Sequence, residues 1–308
     1  MFKILITCPP MLGRLSEYES LFGQLGFNVT APKVEQTLSV AQLKEILPNH
    51  DGWIIGDDPA NEEVFQAGKN GSLKAAVKWG IGVDNIDFKA CSKLGIPIAN
   101  TPNMFGSEVA DLAICYMLGL ARDAFYIDRN VRNGIWVKPT GISTKDKTVG
   151  IMGLGDIGIN IAKRAQAHEM NVIGWDPYTS KDTEGIRIYD WPKNIDKCDF
   201  LIFACALTDT TYHIFDKSIL NLISNGIRIV NISRGDLIDE DALMDGLNSG
   251  KIASAALDVF KKEPLDSKHK IISHPKCILG SHNGSNTIDA VDRASKESIK
   301  LLNKMLRE

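Results

Sequence analysis

The sequence of 308 residues predicts an α/β protein made of two doubly wound units with parallel sheets, one unit being inserted into the other. Three observations support this prediction. Strand-like and helix-like patterns alternate along residues 1–100. A complete strand, glycine loop, helix and strand follows at 148–176, in the middle of the chain. One amphipathic helix, Ile288 to Leu306, stands alone after the last strand and would rejoin the first unit.

The first unit is predicted from short apolar runs separated by helical patterns. In chain order its elements are a strand at Lys3 to Thr7, a helix at Arg14 to Leu25, and strands at Trp53 to Gly56, Ala75 to Lys78 and Pro97 to Ala99. Apolar residues then recur at helical spacing from Ser107 to about Val131. They predict one long helix, capped by Ser107 with Glu108 in its first turn, that crosses between the units.

The second unit is predicted from a series of buried strands. These are Thr148 to Met152, Asn171 to Trp175, Phe200 to Cys205, Arg228 to Ile232, Ala253 to Asp258 and Cys277 to Gly280. We therefore place the first unit at residues 1–100 and 286–308, and the inserted unit at 101–285.

The glycines of the central stretch are spaced as G-x-G-x-x-G. Gly153 would permit the tight turn, Gly155 would let the backbone approach a pyrophosphate, and Gly158 would let the helix pack on the strand. These are the features of a Rossmann dinucleotide-binding unit. The alternative is that the glycines are ordinary turn residues. A strand, a helix and a second strand in register with them favour the nucleotide site.

Two features of this unit predict NAD as the cofactor. The backbone N–H groups at the start of the helix, around Asp156 and Ile157, would hold the pyrophosphate, where the helix dipole favours an anion. Asp176 ends the second strand, 18 residues after Gly158, and could accept hydrogen bonds from the ribose hydroxyls. A carboxylate there would repel the 2′-phosphate of NADP, whereas an Asp that merely ends a strand would not select between cofactors.

Composition narrows the class of protein further. The net charge of −3 gives no reason to expect nucleic acid or an anionic membrane as a partner. No stretch approaches 18 apolar residues, and the N-terminus lacks the long apolar run of a secretion signal. The six cysteines are scattered, which indicates reduced, mostly buried thiols in a cytoplasmic protein. No cluster of His, Cys or Asp has the spacing of metal ligands.

Four polar residues follow the later strands and could carry chemistry. Arg234, Asp258, Glu263 and His282 lie at or after strand ends, where doubly wound sheets bind their ligands. A carboxylate beside a histidine stabilises the imidazolium and suits it to acid–base work, and an arginine can hold a carboxylate with two hydrogen bonds. Taken singly, each could be a surface cation, a solvated acid or a structural histidine. Together they favour an active site.

The sequence resembles the D-2-hydroxyacid dehydrogenase family, and most closely its phosphoglycerate dehydrogenase branch, from about Gly52 to Leu302. The ordered motifs that carry the resemblance are KWGIGVDNID at 78–87, NTPN at 100–103, EVAD at 108–111, GLGDIG at 153–158, NISRGDLIDEDAL at 231–243, AALDVFKKEP at 255–264 and SHNGSNT at 281–287. The resemblance implies two Rossmann-like domains, with the cofactor domain inserted into a flavodoxin-like substrate domain and the active site in the cleft between them.

The resemblance also assigns roles to residues. It implies catalysis by Arg234, Glu263 and His282. Beyond the glycine motif and Asp176, the resemblance implies that Thr211, Ile232 and Asp258 contact the cofactor. Asp258 would contact the carboxamide of the nicotinamide. For the substrate carboxylate it implies the backbone of Gly80, Ile81 and Gly82, with Lys78 as a nearby cation.

What the resemblance implies is an NAD-dependent oxidoreductase, usually a homodimer through the cofactor domain, that acts on a small 2-hydroxy or 2-oxo acid. It ranks 3-phosphoglycerate first, which would place the protein in serine biosynthesis, ahead of hydroxypyruvate, glyoxylate and other D-2-hydroxy acids. A corepressor-like protein that senses NAD is the alternative outside the enzymes.

This chain departs from the family's pattern at three places. Ala206 replaces a usual proline after a strand, Asn283 and Ser285 change the run after the catalytic histidine, and Gly56-Asp57-Asp58 stands where phosphoglycerate enzymes usually have an arginine. Two acids at that position would repel a phosphate and put the phosphorylated substrate in doubt.

Overall fold

A computed structural model of the chain describes residues 1–179, 183 and 185–308. It divides into two compact units, one of residues 1–104 and 286–308 and the other of residues 105–285. The predicted boundary at 100/101 lies four residues before the observed one at 104/105. Both units are α/β with parallel sheets, as predicted. Among the described residues, no helix is long and apolar enough to cross a membrane.

The first unit is a five-stranded parallel sheet in the order β2-β1-β3-β4-β5, the flavodoxin-like arrangement. Its elements up to residue 100 are β1 (Phe2–Ile6), α1 (Pro9–Leu12), α2 (Glu19–Leu25), β2 (Phe27–Thr30), α3 (Val40–Ile46), β3 (Gly52–Ile55), α4 (Glu62–Asn70), β4 (Ala75–Lys78), α5 (Phe88–Leu94) and β5 (Ile98–Asn100).

The second unit is a seven-stranded parallel sheet in the order β12-β11-β10-β9-β6-β7-β8, a Rossmann order with one added edge strand. Its elements are α6 (Gly106–Arg122), α7 (Ala124–Arg132), β6 (Thr148–Met152), α8 (Asp156–Ala167), β7 (Asn171–Trp175), β8 (Arg187–Ile188), β9 (Phe200–Phe203), α9 (Lys217–Leu222), β10 (Ile227–Asn231), α10 (Glu240–Ser249), β11 (Ile252–Leu257) and β12 (Cys277–Leu279). The chain then returns to the first unit with α11 (Ile288–Arg307).

Each sheet has its own apolar core. In the first unit Trp53 and Phe65 are fully buried and pack edge to face, with ring centroids 5.9 Å apart. In the second unit Phe203 and Phe215 are fully buried at 6.1 Å. The central strands are buried on both faces of the sheet, so every side chain along them contacts apolar neighbours. Their sequences are therefore nearly continuous apolar runs. That is why the predicted strands agree with the observed ones to within two residues.

Two predicted helices are wrong in detail. The helix predicted from Arg14 starts only at Glu19, because Pro9 and Pro10 begin a separate short helix and a 3₁₀ turn follows it. The long helix predicted from Ser107 to Val131 is two helices, α6 and α7.

The break between α6 and α7 is at Asp123, whose φ of 53° is left-handed, a conformation that Asp tolerates better than most residues. Ser107 does not cap α6, because the helix begins one residue earlier. Its hydroxyl instead accepts a hydrogen bond from Arg164 on α8 (2.7 Å).

The cysteines are as expected for thiols that are not crosslinked. All six are free; Cys8, Cys91, Cys198 and Cys277 are buried, whereas Cys115 on α6 is exposed.

Candidate active site

The glycine loop between β6 and α8 is shaped by contacts that leave no room for side chains. Gly153 has a φ of +90°, and a Cβ there would lie 2.6 Å from the backbone of Cys205, which follows β9. A Cβ on Gly158 would lie 2.0 Å from the carbonyl oxygen of Gly153. Gly153 and Gly158 therefore lie where the chain leaves no room for a side chain, and Gly153 also has a φ that favours glycine.

Gly155 differs, since a Cβ there would have no heavy atom of the described residues within 4 Å. This open space lies at the N-cap of α8, where no side chain caps the helix and the first N–H groups have no partner within it. The site therefore fits an anionic group held by backbone donors, as a pyrophosphate would be. The carboxylate of Asp156 is turned towards Gly106 and accepts from Asn160 (3.2 Å), so its predicted cofactor role would fall to its backbone N–H, as for Ile157.

Asp176 connects the end of β7 to the glycine loop. Its Oδ2 accepts from the Leu154 N–H (2.8 Å), and its Oδ1 accepts from the N–H groups of Tyr178 (2.8 Å) and Thr179 (3.1 Å). A carboxylate offers about four acceptor sites, so one remains for a ribose hydroxyl. The negative charge thus lies next to the loop, as the prediction of NAD over NADP requires.

The loop after β9 forms the other side of the point where the strand order reverses, between β6 and β9. Thr211 Oγ1 donates to the carbonyl of Ala206 (2.8 Å) and accepts from the Thr208 N–H (2.7 Å), which closes this loop on itself. Burial raises the pKa of the Cys205 thiol to about 12, so the loop begins with an uncharged group. Ile232 is largely buried directly after β10.

Glu263 and His282 meet in the second unit although 19 residues separate them. His282 Nδ1 lies 2.7 Å from Glu263 Oε2, and the other oxygen of Glu263 accepts from the Phe260 N–H (2.9 Å). The His282 side chain is 24% exposed and that of Glu263 is 18% exposed. A substrate can therefore reach the pair, while solvent and salt screen its charges only weakly. Through Nδ1 the carboxylate fixes the orientation of the imidazole ring.

The turn that carries His282 is anchored on Asp258, which directly follows β11 and is 1% exposed. The His282 N–H donates to the Asp258 carbonyl (2.6 Å), and the Gly284 N–H donates to Asp258 Oδ2 (2.8 Å). Asp258 Oδ1 accepts from the hydroxyl of Tyr116 on α6 (3.2 Å). Both oxygens of this predicted cofactor contact therefore already have protein donors.

Arg234 lies in a turn that is packed against the segment leading to Glu263. A Cβ on Gly235 would lie 2.0 Å from the carbonyl carbon of Phe260, so the two backbones touch. Buried Asn231 at the end of β10 fixes the turn, because its amide donates to the Arg234 carbonyl (2.8 Å) and its oxygen accepts from the Ser233 N–H (3.1 Å). The turns of Arg234 and Glu263 are thus held together at the carboxyl edge of neighbouring strands.

The predicted substrate cation Lys78 lies in the first unit and is 3% exposed. Its ammonium group donates to Asp57 Oδ1 (2.9 Å) and to the carbonyl of Gly56 (2.6 Å). The charge that the resemblance offers to a phosphate is therefore paired within the protein. Any role of Lys78 at a phosphate stays a prediction, and it would compete with this ion pair.

Asp58 does not lie in the exposed position that its predicted repulsion of a phosphate assumes. Asp58 is fully buried and accepts hydrogen bonds from the Leu38 N–H (2.8 Å), the Gly56 N–H (3.2 Å) and the hydroxyl of Thr7. Burial raises the pKa of this carboxyl group. Asp58 is thus part of the interior of the first unit, because backbone donors satisfy it there, and only Asp57 of the two acids is partly exposed.

The loop at 80–83 follows β4 and is held by the last residue of β5 and the residue after it. The Gly80 N–H donates to Thr101 Oγ1 (2.8 Å), so it is not available to a carboxylate in this arrangement. The Ile81 carbonyl accepts from Asn100 (3.3 Å), and the Ile81 side chain is 41% exposed. The predicted carboxylate site would therefore rest on the N–H groups of Ile81 and Gly82.

Comparison with known proteins decides the family. Residues 114–284, more than half of the chain, match the family model described as the NAD-binding domain of D-isomer-specific 2-hydroxyacid dehydrogenases. The chain belongs to this dehydrogenase family. The family, the fold class and the cofactor NAD, all predicted from the sequence, are thereby confirmed.

Individual members of the dehydrogenase family differ in what they act on. A D-3-phosphoglycerate dehydrogenase of Archaeoglobus fulgidus is 33% identical over 84% of this chain, which spans 50% of that protein's length. A hydroxypyruvate reductase of Thermotoga maritima is 33% identical over 87% of each chain. The crystal structure of a glyoxylate reductase from Paecilomyes thermophila superimposes with a TM-score of 0.85 at 27% identity, covering 100% of this chain and 96% of that one. These relatives leave the substrate open.

Sequence reasoning missed two residues of this dehydrogenase site. Tyr116 belongs to the apolar pattern of α6 and carries no signal that its hydroxyl reaches Asp258, 142 residues away. Asn231 could have been found, because it is a polar residue that ends a buried strand and opens the motif that contains Arg234.

Proposed function

We propose that the protein transfers hydride between NAD and a small D-2-hydroxy acid or its 2-oxo partner. The observation that carries this proposal is the hydrogen bond between His282 and Glu263 (2.7 Å) at the carboxyl edge of the sheet that holds the dinucleotide loop. A histidine paired with a carboxylate is a general acid–base group, and alcohol oxidation by NAD needs one.

Each residue of this site has a distinct task in the proposed reaction. The bound nicotinamide supplies or accepts the hydride. Because Nδ1 of His282 bonds to Glu263, proton exchange with the substrate oxygen falls to Nε2. Glu263 stabilises the imidazolium that donates the proton during reduction and keeps the ring oriented. Arg234 holds the substrate carboxylate and polarises the carbonyl through its planar donors.

The substrate that the geometry favours is an unphosphorylated 2-oxo acid such as hydroxypyruvate or glyoxylate, ahead of the 3-phosphoglycerate pair that the sequence ranks first. The reason is the ion pair of Lys78 with Asp57 (2.9 Å), which neutralises the cation that a phosphate would need. The phosphoglycerate dehydrogenases among the relatives keep the phosphorylated acid as the second candidate. The N–H groups of Ile81 and Gly82 are the proposed donors to the substrate carboxylate.

We also propose a homodimer through the NAD-binding unit. No residue of α7 is buried in the single chain, and Val131, Ile135 and Trp136 expose 42%, 53% and 78% of their surface. Neighbouring apolar side chains exposed in this way are typical of an interface between subunits. Light scattering after size-exclusion chromatography should give twice the 33.8 kDa mass of the chain, and Trp136→Ser should weaken the dimer.

Steady-state reduction of a panel of 2-oxo acids with NADH tests the proposed reaction. The panel contains glyoxylate, pyruvate, hydroxypyruvate and 3-phosphohydroxypyruvate, and we expect kcat/KM to be highest for an unphosphorylated member. Binding of NADH is measured separately by calorimetry. A protein that binds NADH but turns over no acid would contradict the enzyme and favour the NAD-sensing alternative.

A further inference from the structure

Asp258 connects three elements of the second unit through one residue. Its carbonyl accepts from the His282 N–H (2.6 Å), its Oδ2 accepts from the Gly284 N–H (2.8 Å), and its Oδ1 accepts from the Tyr116 hydroxyl (3.2 Å). The first two bonds are donated by His282 itself and by Gly284, two positions later. The third joins this turn to α6, so the orientation of the Asp258 carboxylate depends on a helix far away in the chain.

His282 needs such support because of its backbone. Its φ is +55°, in the left-handed region that residues other than glycine seldom occupy. Such a conformation persists only when the surroundings hold it. Two of its supports are the bonds that Asp258 accepts from the N–H groups of His282 and Gly284, and the second of these depends on where the Asp258 carboxylate points.

Tyr116 is well placed to fix that carboxylate. It is 6% exposed, and burial together with the charge of Asp258 raises the pKa of its hydroxyl, which therefore stays protonated and can donate. The space around the contact is closed on the opposite side by Gly280. A Cβ there would lie 2.1 Å from Asp258 Oδ1 and 2.4 Å from the Tyr116 oxygen.

We propose that Tyr116 is a positioning residue that acts through Asp258 to hold the turn of His282, and thereby the hydrogen bond of His282 to Glu263. Without the hydroxyl, Asp258 Oδ1 loses its donor in a buried place and the carboxylate rotates. The Gly284 N–H then loses its acceptor, and the histidine is no longer held at a fixed angle to Glu263. The effect on catalysis rests on the proposed function, whereas the effect on the histidine does not.

Nuclear magnetic resonance of the protein without cofactor or substrate tests this directly. With histidines labelled by ¹⁵N, the six imidazole rings can be resolved and that of His282 assigned through a His282→Gln variant. In Tyr116→Phe we expect the imidazole signals of His282 to shift or broaden. The control is Tyr18→Phe, which removes an equally buried hydroxyl that has no hydrogen-bond partner among the described residues. It should leave His282 unchanged.

Kinetics measures the consequence for the proposed reaction. Tyr116→Phe should lower kcat roughly 10- to 150-fold, the effect of losing one hydrogen bond to a charged group, while binding of ADP-ribose stays within about twofold. ADP-ribose lacks the nicotinamide, so an unchanged affinity shows that the glycine loop is intact. If the unmodified protein turns over no acid, the proposed function fails, but the resonance experiment still decides the role of Tyr116.

Asp258→Asn is the second variant, which decides the matter should Tyr116→Phe fail to fold. The amide keeps the volume of the carboxylate, but only its oxygen can accept. With that oxygen on the Gly284 N–H, the Tyr116 hydroxyl has to turn from donor to acceptor and the negative charge is lost, so the His282 signals should again change. Signals of His282 that match those of the unmodified protein in a folded Tyr116→Phe, or in Asp258→Asn where the first does not fold, would overturn the proposal.

Discussion

Replacing the second glycine of the loop by alanine should separate cofactor binding from folding. Gly155 has an ordinary φ of −72°, and in the part of the chain that the structure describes no heavy atom lies within 4 Å of an added Cβ, so the fold can accept the methyl group. Because alanine restricts the unfolded chain, the substitution should raise the free energy of unfolding by about 0.4–1 kcal/mol. Because alanine is a poor N-cap residue, it should lower the same free energy by a similar amount. The free energy of unfolding should therefore change by less than about 1 kcal/mol.

The methyl group would occupy the space into which we place the pyrophosphate. At a free NADH concentration one hundred times its Kd, binding stabilises the unmodified protein by about 2.7 kcal/mol. A tenfold weaker Kd costs about 1.4 kcal/mol of binding free energy. The same concentration would then stabilise Gly155→Ala by only about 1.4 kcal/mol. The rise in Tm on adding NADH, about 2–4 °C per kcal/mol for a unit of this size, should fall to half.

Two variants serve as controls in the same thermal unfolding assay. Gly23→Ala in α2 also has open space around its Cβ and should keep the full NADH-dependent rise. Gly158→Ala brings a Cβ within 2.0 Å of the Gly153 carbonyl oxygen, so it should lose about 1–3 kcal/mol of stability even without NADH. If Gly155→Ala kept the full NADH-dependent rise, the open space would not be the place of the pyrophosphate.

Further predictions concern the catalytic pair, the cofactor and the substrate. His282→Ala should lower kcat roughly 10²- to 10⁴-fold with little change in the Kd of NADH, and wild-type turnover in this variant would contradict the mechanism. Glu263→Gln should lower the pH at which reduction of the 2-oxo acid is lost, because a neutral amide no longer stabilises the imidazolium that donates the proton. Asp176→Ala should narrow the preference for NADH over NADPH in kcat/KM, because its like charge no longer meets the 2′-phosphate, and equal use of both by the unmodified protein would refute this. Asp57→Asn breaks the ion pair of Lys78, so it should raise kcat/KM for 3-phosphohydroxypyruvate relative to that for hydroxypyruvate roughly five- to tenfold. An equal change of kcat/KM for both acids would show that Lys78 does not bind the phosphate.

The strands could be predicted from the sequence because burial on both faces of a parallel sheet demands continuous apolar runs. The two strands that were not predicted lie at sheet edges: β2 has alternate residues exposed, and β8 has two residues. The break between α6 and α7 at Asp123 was not predicted from the sequence either. An aspartate is tolerated in a helix, and only its left-handed φ shows that the chain turns there.

For the site, local sequence predicts the type of residue but not its partner. Glu263 and His282 could be paired in advance because ordered motifs linked them to a family. Asp58 was misjudged, since a carboxylate in a loop usually faces solvent. The N–H of Leu38 and the hydroxyl of Thr7, which come from distant parts of the chain, satisfy it in the interior.

The turns that carry the proposed chemistry are each anchored by one polar side chain at the end of a parallel strand. Asp176, directly after β7, holds the glycine loop. Asn231, at the end of β10, holds the turn of Arg234, and Asp258, directly after β11, holds the turn of His282. Because the carboxyl ends of parallel strands share one edge, three local anchors suffice to bring these turns together. Substitution of an anchor should therefore alter catalysis without any contact to the substrate. Substitution within one turn, by contrast, can change specificity while the other two stay in place.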